Sequence, residues 1–329
     1  MKVVCVCEEG VRAQDTLKWD IFPDMEGSVE IFASSTPDVF NLSMPLSTVN
    51  IADRVVLIPK LGEDRKYFML SFDNQERVYV TNRKLNVPGV CNMRDIGGYA
   101  REDGQSIKWG QIYRSGSLAE ITDIGRARLQ MLHIKTILDL SSKEDIHAKS
   151  PEIEGAKTIS IPINDPFANA IRKRLVEGKC KRNDAIILMQ DAFYSFTVDY
   201  DAEITNLFDV LGHANNYPLL IVGGAGNHRV GYVISLIMSA LNMPDEAILD
   251  DFLFSNSCIE MHNEVNFGQS LPPDEQEALT VLMTSQKSFL DYAFEKMRQE
   301  NGSVDQYFTK KLSLNPKKRE KLQQILLTR

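Results

Sequence analysis

The first 86 residues alternate apolar and polar positions in short runs. Turn-forming stretches such as FPDMEG, STPD and DNQE separate the runs SVEIFAS, DRVVLIP, KYFMLSF and ERVYVTN. Alternation with a period of two is typical of strands that bury one face, and no long segment with the period of a helix interrupts it. The pattern predicts an all-β module over residues 1–86, arranged as a small sandwich.

From residue 87 onward, strand-like and helix-like segments alternate. The apolar runs IKTILDLS, TISIPI and PLLIVGG predict strands, whereas the stretches beginning near Thr122 and spanning roughly residues 185–212 predict helices. Such alternation is typical of an α/β fold in which helices flank a central parallel or mixed sheet. We therefore expect one α/β domain over residues 87–329, joined to the β module by the connector RKLNVPGV.

A glycine-rich stretch joins the strand PLLIV to the apolar helix that follows it. Loop amides and the positive end of a helix dipole both favour an anion, and a guanidinium can complete such a site with two parallel hydrogen bonds. The spacing fits neither a dinucleotide fingerprint nor a Walker loop. A tight turn whose glycines allow close packing is the alternative interpretation. The residues that we expect to bind the anion are Gly223, Gly224, Ala225, Gly226, Asn227, His228 and Arg229.

Composition narrows the classes of function. The 329 residues are 43% hydrophobic and 25% charged, as in an ordinary globular protein with a substantial core. A net charge of −8 argues against nucleic acid as a partner, and no apolar run is long enough to predict a transmembrane segment. Five scattered cysteines indicate a reducing, cytoplasmic location; export is the alternative if the natural N-terminus lies upstream of Met1.

The sequence predicts neither a metal nor a cofactor. Cys5 and Cys7 would lie on one face of a strand, but no further ligand follows at a suitable spacing, so we expect both in the core. The histidines other than His228 fall at the ends of predicted elements without ligand spacing; they are His133, His147, His213 and His262.

Several motifs resemble those of the bacterial tyrosine/serine protein phosphatases, a family that includes triple-specificity and lipid phosphatases. They are NMRDIGGYAREDGQSIKWGQIYRSGSL, LHIKTILDLSSKED, the glycine loop, DDFLFSN and NGSVDQYF, in the family's order over about residues 90–328. The β-rich extension is also similar to one found in some bacterial members. The resemblance implies a phosphatase-like fold and, as ligand, a phosphorylated protein or a small phosphate or phospholipid.

The loop departs from the family pattern at the residues that perform catalysis. The family loop reads His-Cys-x-x-Gly-Lys-Asp-Arg-Thr-Gly, and its cysteine thiolate attacks phosphorus. Gly226, Arg229 and Gly231 are retained here. The positions of the family's histidine, cysteine, lysine, aspartate and threonine are occupied by Val222, Gly223, Asn227, His228 and Val230, and Ser141 replaces an arginine at an earlier strand end.

Other side chains could compensate for the missing thiolate. His228 could accept a phosphoryl group or act as a general acid, although a hydrogen-bonded histidine at the rim is the alternative. Asp95, Asp139 and Asp165 could assist, but a structural ion pair with Arg94, a turn cap and a loop residue before proline are the respective alternatives. We expect Cys258 to be a core residue rather than a nucleophile. On the family pattern, Arg114 has a structural or supporting role.

Three functions are compatible with these residues. The favoured one is a phosphatase family member that is inactive or severely impaired, a pseudophosphatase that retains anion binding. The second is an active phosphomonoester hydrolase that uses His228 or an activated water. The third is a non-catalytic scaffold that binds a protein partner, through the β module among other surfaces.

Overall fold

The computed structural model describes residues 2–10, 14–62, 65–142, 151–164, 177–178, 180–259 and 271–328. These residues divide into two compact units. Residues 1–85 and 108–110 belong to the first unit, and residues 86–107 and 111–329 belong to the second. The division lies close to the predicted boundary at residue 86. That each unit folds independently as a domain stays a prediction.

The first unit is built from antiparallel strands in two sheets. In chain order the strands are β1 (Lys2–Gly10), β2 (Gln14–Phe22), β3 (Ser28–Ser34), β4 (Ser47–Asn50), β5 (Val55–Pro59), β6 (Tyr67–Phe72) and β7 (Glu76–Thr81). One sheet has the order β1-β2-β5 and the other has the order β4-β3-β6-β7. The single helical element described in this unit is a 3-10 turn at Ile51–Asp53.

The two sheets of the first unit share one apolar core, which confirms the sandwich-like β module. Leu17, Trp19 and Ile21 alternate along β2 with exposed residues, as a half-buried strand requires. Cys5 and Cys7 face this core from β1, where burial raises the pKa of both thiols to about 12. They are the unreactive packing residues that the alternation predicts.

A five-stranded mixed sheet forms the centre of the second unit, which confirms the predicted α/β fold. Its strands, in chain order, are β8 (Arg94–Asp95), β9 (Ile112–Ser115), β10 (Thr136–Asp139), β11 (Lys157–Ser160) and β12 (Leu219–Val222). The spatial order is β11-β10-β12-β9-β8; all neighbours are parallel except β8 and β9. The central strand β12 is buried throughout, which explains its uninterrupted apolar sequence.

Helices pack around this sheet. They are α1 (Asp123–Gln130), α2 (Arg182–Val198), α3 (Asp201–Leu211), α4 (His228–Ala240), α5 (Asp245–Phe254), α6 (Pro273–Met283), α7 (Lys287–Asn301), α8 (Val304–Lys310) and α9 (Pro316–Leu326). No helix in the described ranges is both long and apolar enough to cross a bilayer.

The expected single helical region at 185–212 is in fact two helices, α2 and α3. The break falls at Asp199 and Tyr200, after the β-branched pair Thr197-Val198. β-branched residues have low helix propensity, and the acidic residues Asp201 and Glu203 suit the first turn of a new helix. The correction leaves the layer arrangement of the fold unchanged.

Helix α4 occupies the interior, because eleven of its residues are buried. Phe193 of α2 lies at the centre of an aromatic cluster with ring contacts to His228, Tyr232, Phe252 and Phe289. These contacts tie α2, α4, α5 and α7 together around the start of α4. The helix start that directly follows the glycine-rich loop is therefore closely packed.

Candidate anion site

The glycine-rich loop follows the central strand β12 and precedes α4. In the described sheet β12 pairs in parallel with β10 on one side and β9 on the other, so the three strands end at the same edge. Crevices at the carboxyl ends of parallel strands are the usual ligand sites of open α/β sheets. The first turn of α4 begins at His228, so its N-terminus faces this edge.

The carbonyl groups of the loop are held by donors from the segment that precedes β8 and from the end of β9. Ser117 N donates to Gly224 O over 2.8 Å. Ala225 O accepts from Asn92 Nδ2 over 3.3 Å and from Cys91 Sγ over 3.6 Å. Arg114 Nη2 donates to Gly226 O over 2.5 Å. These donors hold three consecutive carbonyls of the loop. We call them the backing layer: Cys91, Asn92, Arg114 and Ser117.

The amides of the same peptide groups point the opposite way, because the C=O and N–H of a trans peptide are antiparallel. The N–H of Gly226 donates to Gly223 O over 2.9 Å within the loop. The N–H groups of Ala225 and Asn227 donate to no acceptor among the residues that the structure describes. These two amides are oriented as an anion site requires.

Glycine is required at two loop positions. At Gly226 the φ angle is +75°, and a Cβ would lie 2.6 Å from the backbone of Ser115 and Gly116. At Gly224 the φ angle is +54°, and a Cβ would lie 3.2 Å from Arg229 Nη2. Left-handed backbone and close approach both exclude larger residues, so the glycines serve the loop shape as well as leaving its amides accessible.

Arg229 lies beside the loop with its guanidinium fixed at one end. Its Nη1 donates to Leu140 O over 3.2 Å and to Ile163 O over 2.8 Å, and the residue is 7% exposed. The Nε and Nη2 atoms lie on the side of Gly224, because a Cβ there would be 3.6 and 3.2 Å from them. The Nε–Nη2 edge is the part of a guanidinium that pairs with two oxygens of an oxyanion.

Asn227 and His228 contact the segment between α6 and α7. Asn227 Oδ1 accepts from His228 N over 2.9 Å, and its Nδ2 donates to Met283 O over 3.2 Å. His228 Nε2 lies 3.3 Å from Thr284 O, and its ring meets the Phe193 and Phe289 rings edge-on at 6.0 and 6.5 Å. Both side chains thus connect the loop to this segment.

The candidate carboxylates have separate environments. Asp139 is 8% exposed at the end of β10, opposite Val222, and its Oδ1 accepts from Ser141 N over 2.9 Å. Asp95 is fully buried on β8, and its Oδ1 accepts from Gly97 N over 2.8 Å. The structure therefore places Asp139 beside the loop and makes Asp95 part of a turn. Asp165 lies outside the described residues, as do His147 and His262.

A buried charged cluster lies behind the loop. Arg94 and Arg114 are 0% exposed and Asp251 of α5 is 1% exposed. Arg94 Nε lies 3.1 Å from Asp251 Oδ1, and Arg114 Nη1 lies 2.5 Å from Asp251 Oδ2. Burial, followed by the charge of Arg94, lowers the pKa of Arg114 to about 10. Arg114 therefore stays protonated at neutral pH.

Asp251 is not among the site residues that the sequence predicts. The structural alternative for Arg94 was an ion pair with Asp95, whereas Arg94 pairs with Asp251, 157 positions away along the chain. The available signal was the spacing of Asp251 and Ser255, which are four residues apart; Ser255 Oγ accepts from Arg94 Nη2 over 3.0 Å.

The other chemically reactive side chains lie elsewhere. Cys258 is 4% exposed, as expected of a core residue. Cys91 is exposed, but its thiol contacts Ala225 O on the side of the loop that bears the carbonyls. Within the described ranges, no three His, Cys, Asp or Glu side chains converge as a metal site.

Comparisons with known proteins agree with the family resemblance. Residues 85–328 match the model of a family described as the tyrosine phosphatase family. A Cupriavidus necator protein named as a tyrosine-protein phosphatase is 26% identical over 234 residues, covering 69% of this chain and 83% of the relative. The triple specificity protein phosphatase PtpB of Mycobacterium tuberculosis is 26% identical over 195 residues, covering 53% and 69% respectively.

A solved structure also aligns with part of the chain. The core catalytic domain of the PP-IP phosphatase SIW14 from S. cerevisiae aligns with 16% identity and a TM-score of 0.33. The alignment covers 66% of this chain and 96% of that domain.

Proposed function

The chain belongs to the tyrosine phosphatase family, and we propose that it is a member without phosphoryl-transfer activity whose loop still binds an oxyanion. The observation that carries this proposal is the combination at residues 223–229. By the family resemblance the loop has glycine where the family has its thiolate. The N–H groups of Ala225 and Asn227 nevertheless point away from the donors that hold the loop carbonyls, and Arg229 Nε and Nη2 lie on the side of Gly224. A phosphate group, on a phosphorylated protein or a small phosphate or phospholipid, is the ligand that this arrangement suits.

Loss of the nucleophile removes the covalent route. A thiolate splits phosphate ester hydrolysis into two easier steps, and glycine has no group that can do so. The side chains of Asn227 and His228 contact the carbonyls of Met283 and Thr284, so we assign both to support of the loop rather than to proton transfer. Binding without turnover is the consequence.

The alternative of a histidine-dependent hydrolase is disfavoured by the packing of His228. Its Nε2 lies near a backbone carbonyl and its ring packs edge-on against the rings of Phe193 and Phe289. A phosphoryl acceptor must instead present a ring nitrogen to the phosphorus in the site. We therefore assign His228 to loop support.

Hydrolysis of an aryl phosphate by the wild-type protein should stay at the background rate. The test is steady-state release of p-nitrophenol from p-nitrophenyl phosphate, with the same assay on His228→Ala. The account expects no difference between the two proteins. Turnover by wild type that His228→Ala abolishes would contradict it and support the hydrolase hypothesis.

A second candidate function is protein binding by the first unit. Exposed apolar side chains on the outer face of its three-stranded sheet favour this role: Val4, Val6, Val55 and Leu57 are 53%, 44%, 44% and 57% exposed. Thr16 and Lys18 of the middle strand β2 lie between these residues of β1 and β5, and a mixed apolar and polar surface is typical of protein interfaces. Chemical cross-linking in cells with wild type and Leu57→Glu tests it; identical cross-linked products would argue against this surface.

A further inference from the structure

We propose that Arg114 is a positioning residue of the anion site: it holds the peptide group between Gly226 and Asn227 so that the Asn227 N–H faces the anion. The inference rests on the proposed function and deepens it. It concerns a side chain that lies behind the loop and forms no part of the anion-facing surface.

The geometry of the Arg114 guanidinium fits this role. Its Nη2 donates to Gly226 O over 2.5 Å while its Nη1 donates to Asp251 Oδ2 over 2.5 Å. A planar guanidinium fixes the angle between two such acceptors. Because the Gly226–Asn227 peptide is trans, fixing its carbonyl also fixes the direction of the Asn227 N–H.

Asp251 makes the support rigid. Its carboxylate also accepts from Arg94 Nε over 3.1 Å, and its backbone carbonyl accepts from Arg94 Nη2 over 2.8 Å. Ser255 Oγ adds contacts of 3.0 Å to Arg94 Nη2 and 3.4 Å to Arg114 Nη2. Arg114 is therefore held by α5 on one side and holds the loop on the other.

The positive charge of Arg114 has a second effect on the same peptide. A charged donor on a buried carbonyl polarises the peptide group and strengthens the hydrogen bond that its N–H can donate. The neighbouring carbonyl of Ala225 has the neutral donors Asn92 Nδ2 and Cys91 Sγ, and the N–H of that peptide is already used by Gly223 O. The charged donor thus acts on one of the two peptides whose N–H groups are directed to the ligand.

The test is a titration of the full-length, isotopically labelled protein with inorganic phosphate, following the amide resonances of Ala225 and Asn227. Arg114→Met keeps the side-chain length, removes the charged donor and leaves Asp251 paired with Arg94. Arg114→Lys keeps the charge opposite Asp251, without the planar fork, and serves if the methionine variant does not fold. Asp250→Asn is the control, because Asp250 is exposed on the same helix as Asp251.

We expect Arg114→Met to weaken phosphate binding about tenfold, the low end of the effect of one charged hydrogen bond. Arg114→Lys should weaken it several-fold, and Asp250→Asn should change it less than about twofold. The phosphate-induced shift of Asn227 should be lost before that of Ala225. Equal affinities of wild type and both Arg114 variants would overturn the inference and leave the proposed function intact. If the amide resonances of wild type do not shift at phosphate concentrations of roughly tens of millimolar, the affinity is negligible. That result would overturn both the inference and the proposed function.

Discussion

Replacing Gly223 with cysteine should raise hydrolysis of p-nitrophenyl phosphate at least about tenfold above the wild-type background, since under the proposed function it supplies the nucleophile of a covalent route. A Cβ at this position would lie 3.2 Å from Leu140 Cβ and 3.5 Å from Arg229 Cδ, and the φ angle is +159°, so both Leu140 and the loop backbone must shift to accept it. The loop amides and Arg229 lower the pKa of a thiol placed there. Turnover should remain slow, because under the proposed alignment with the family loop Asn227 and His228 stand at the positions of its lysine and aspartate.

Two controls make this gain specific. Gly223→Ser adds a side chain of similar shape that does not ionise near neutral pH, so it should stay at background. Alkylation by iodoacetamide at mildly acidic pH should be faster at the new cysteine than at the exposed Cys91. A cysteine variant without hydrolysis and with alkylation no faster than that of Cys91 would show that the loop does not activate a nucleophile.

Changing Asp251 to asparagine should destabilise the second unit by about 3–5 kcal/mol, the usual cost of removing one partner from a buried ion pair. The substitution preserves shape but leaves Arg94 and Arg114, both fully buried, without the carboxylate between them. For a unit of this size, the loss corresponds to a decrease in melting temperature of roughly 10 °C. Differential scanning calorimetry of the purified protein measures it.

The neighbouring residue provides a matched control for this substitution. Asp250 is exposed on the same helix, so Asp250→Asn makes the same chemical change without a buried partner. Its melting temperature should equal that of wild type within error. Equal melting temperatures for the Asp251 and Asp250 variants would mean that the buried cluster does not stabilise the unit.

The strands and the order of layers could be predicted because the hydrophobic pattern is local. The run SVEIFAS coincides with β3, and the buried strand β12 has the uninterrupted apolar sequence of a central parallel strand. The helix break at Asp199 was missed, because both halves of 185–212 have helical patterns and the break depends on a short β-branched pair. Weak local propensities of this kind become decisive only with tertiary packing.

The site was predictable where the backbone determines it. A strand, glycines and a helix start are visible in sequence, and so is the placement of Arg229 near the loop. The contacts of His228 and Asn227 with the carbonyls of Thr284 and Met283 could not be predicted, because they bridge 56 positions to a backbone that carries no sequence signal. The same holds for Asp251, whose role depends on two arginines from distant strands.

A single titration tests the central claim that residues 223–229 are an oxyanion site. Phosphate is added to the labelled wild-type protein and to Arg229→Ala while the amide resonances of the loop are followed. The account predicts saturable shifts of Ala225 and Asn227 with a dissociation constant in the millimolar range, about −4 kcal/mol, and their loss in the variant. Two results would contradict the claim and mean that the loop is only a tight turn. One is the absence of shifts at phosphate concentrations of roughly tens of millimolar, where even the weakest measurable binding would be seen. The other is equal shifts in wild type and Arg229→Ala.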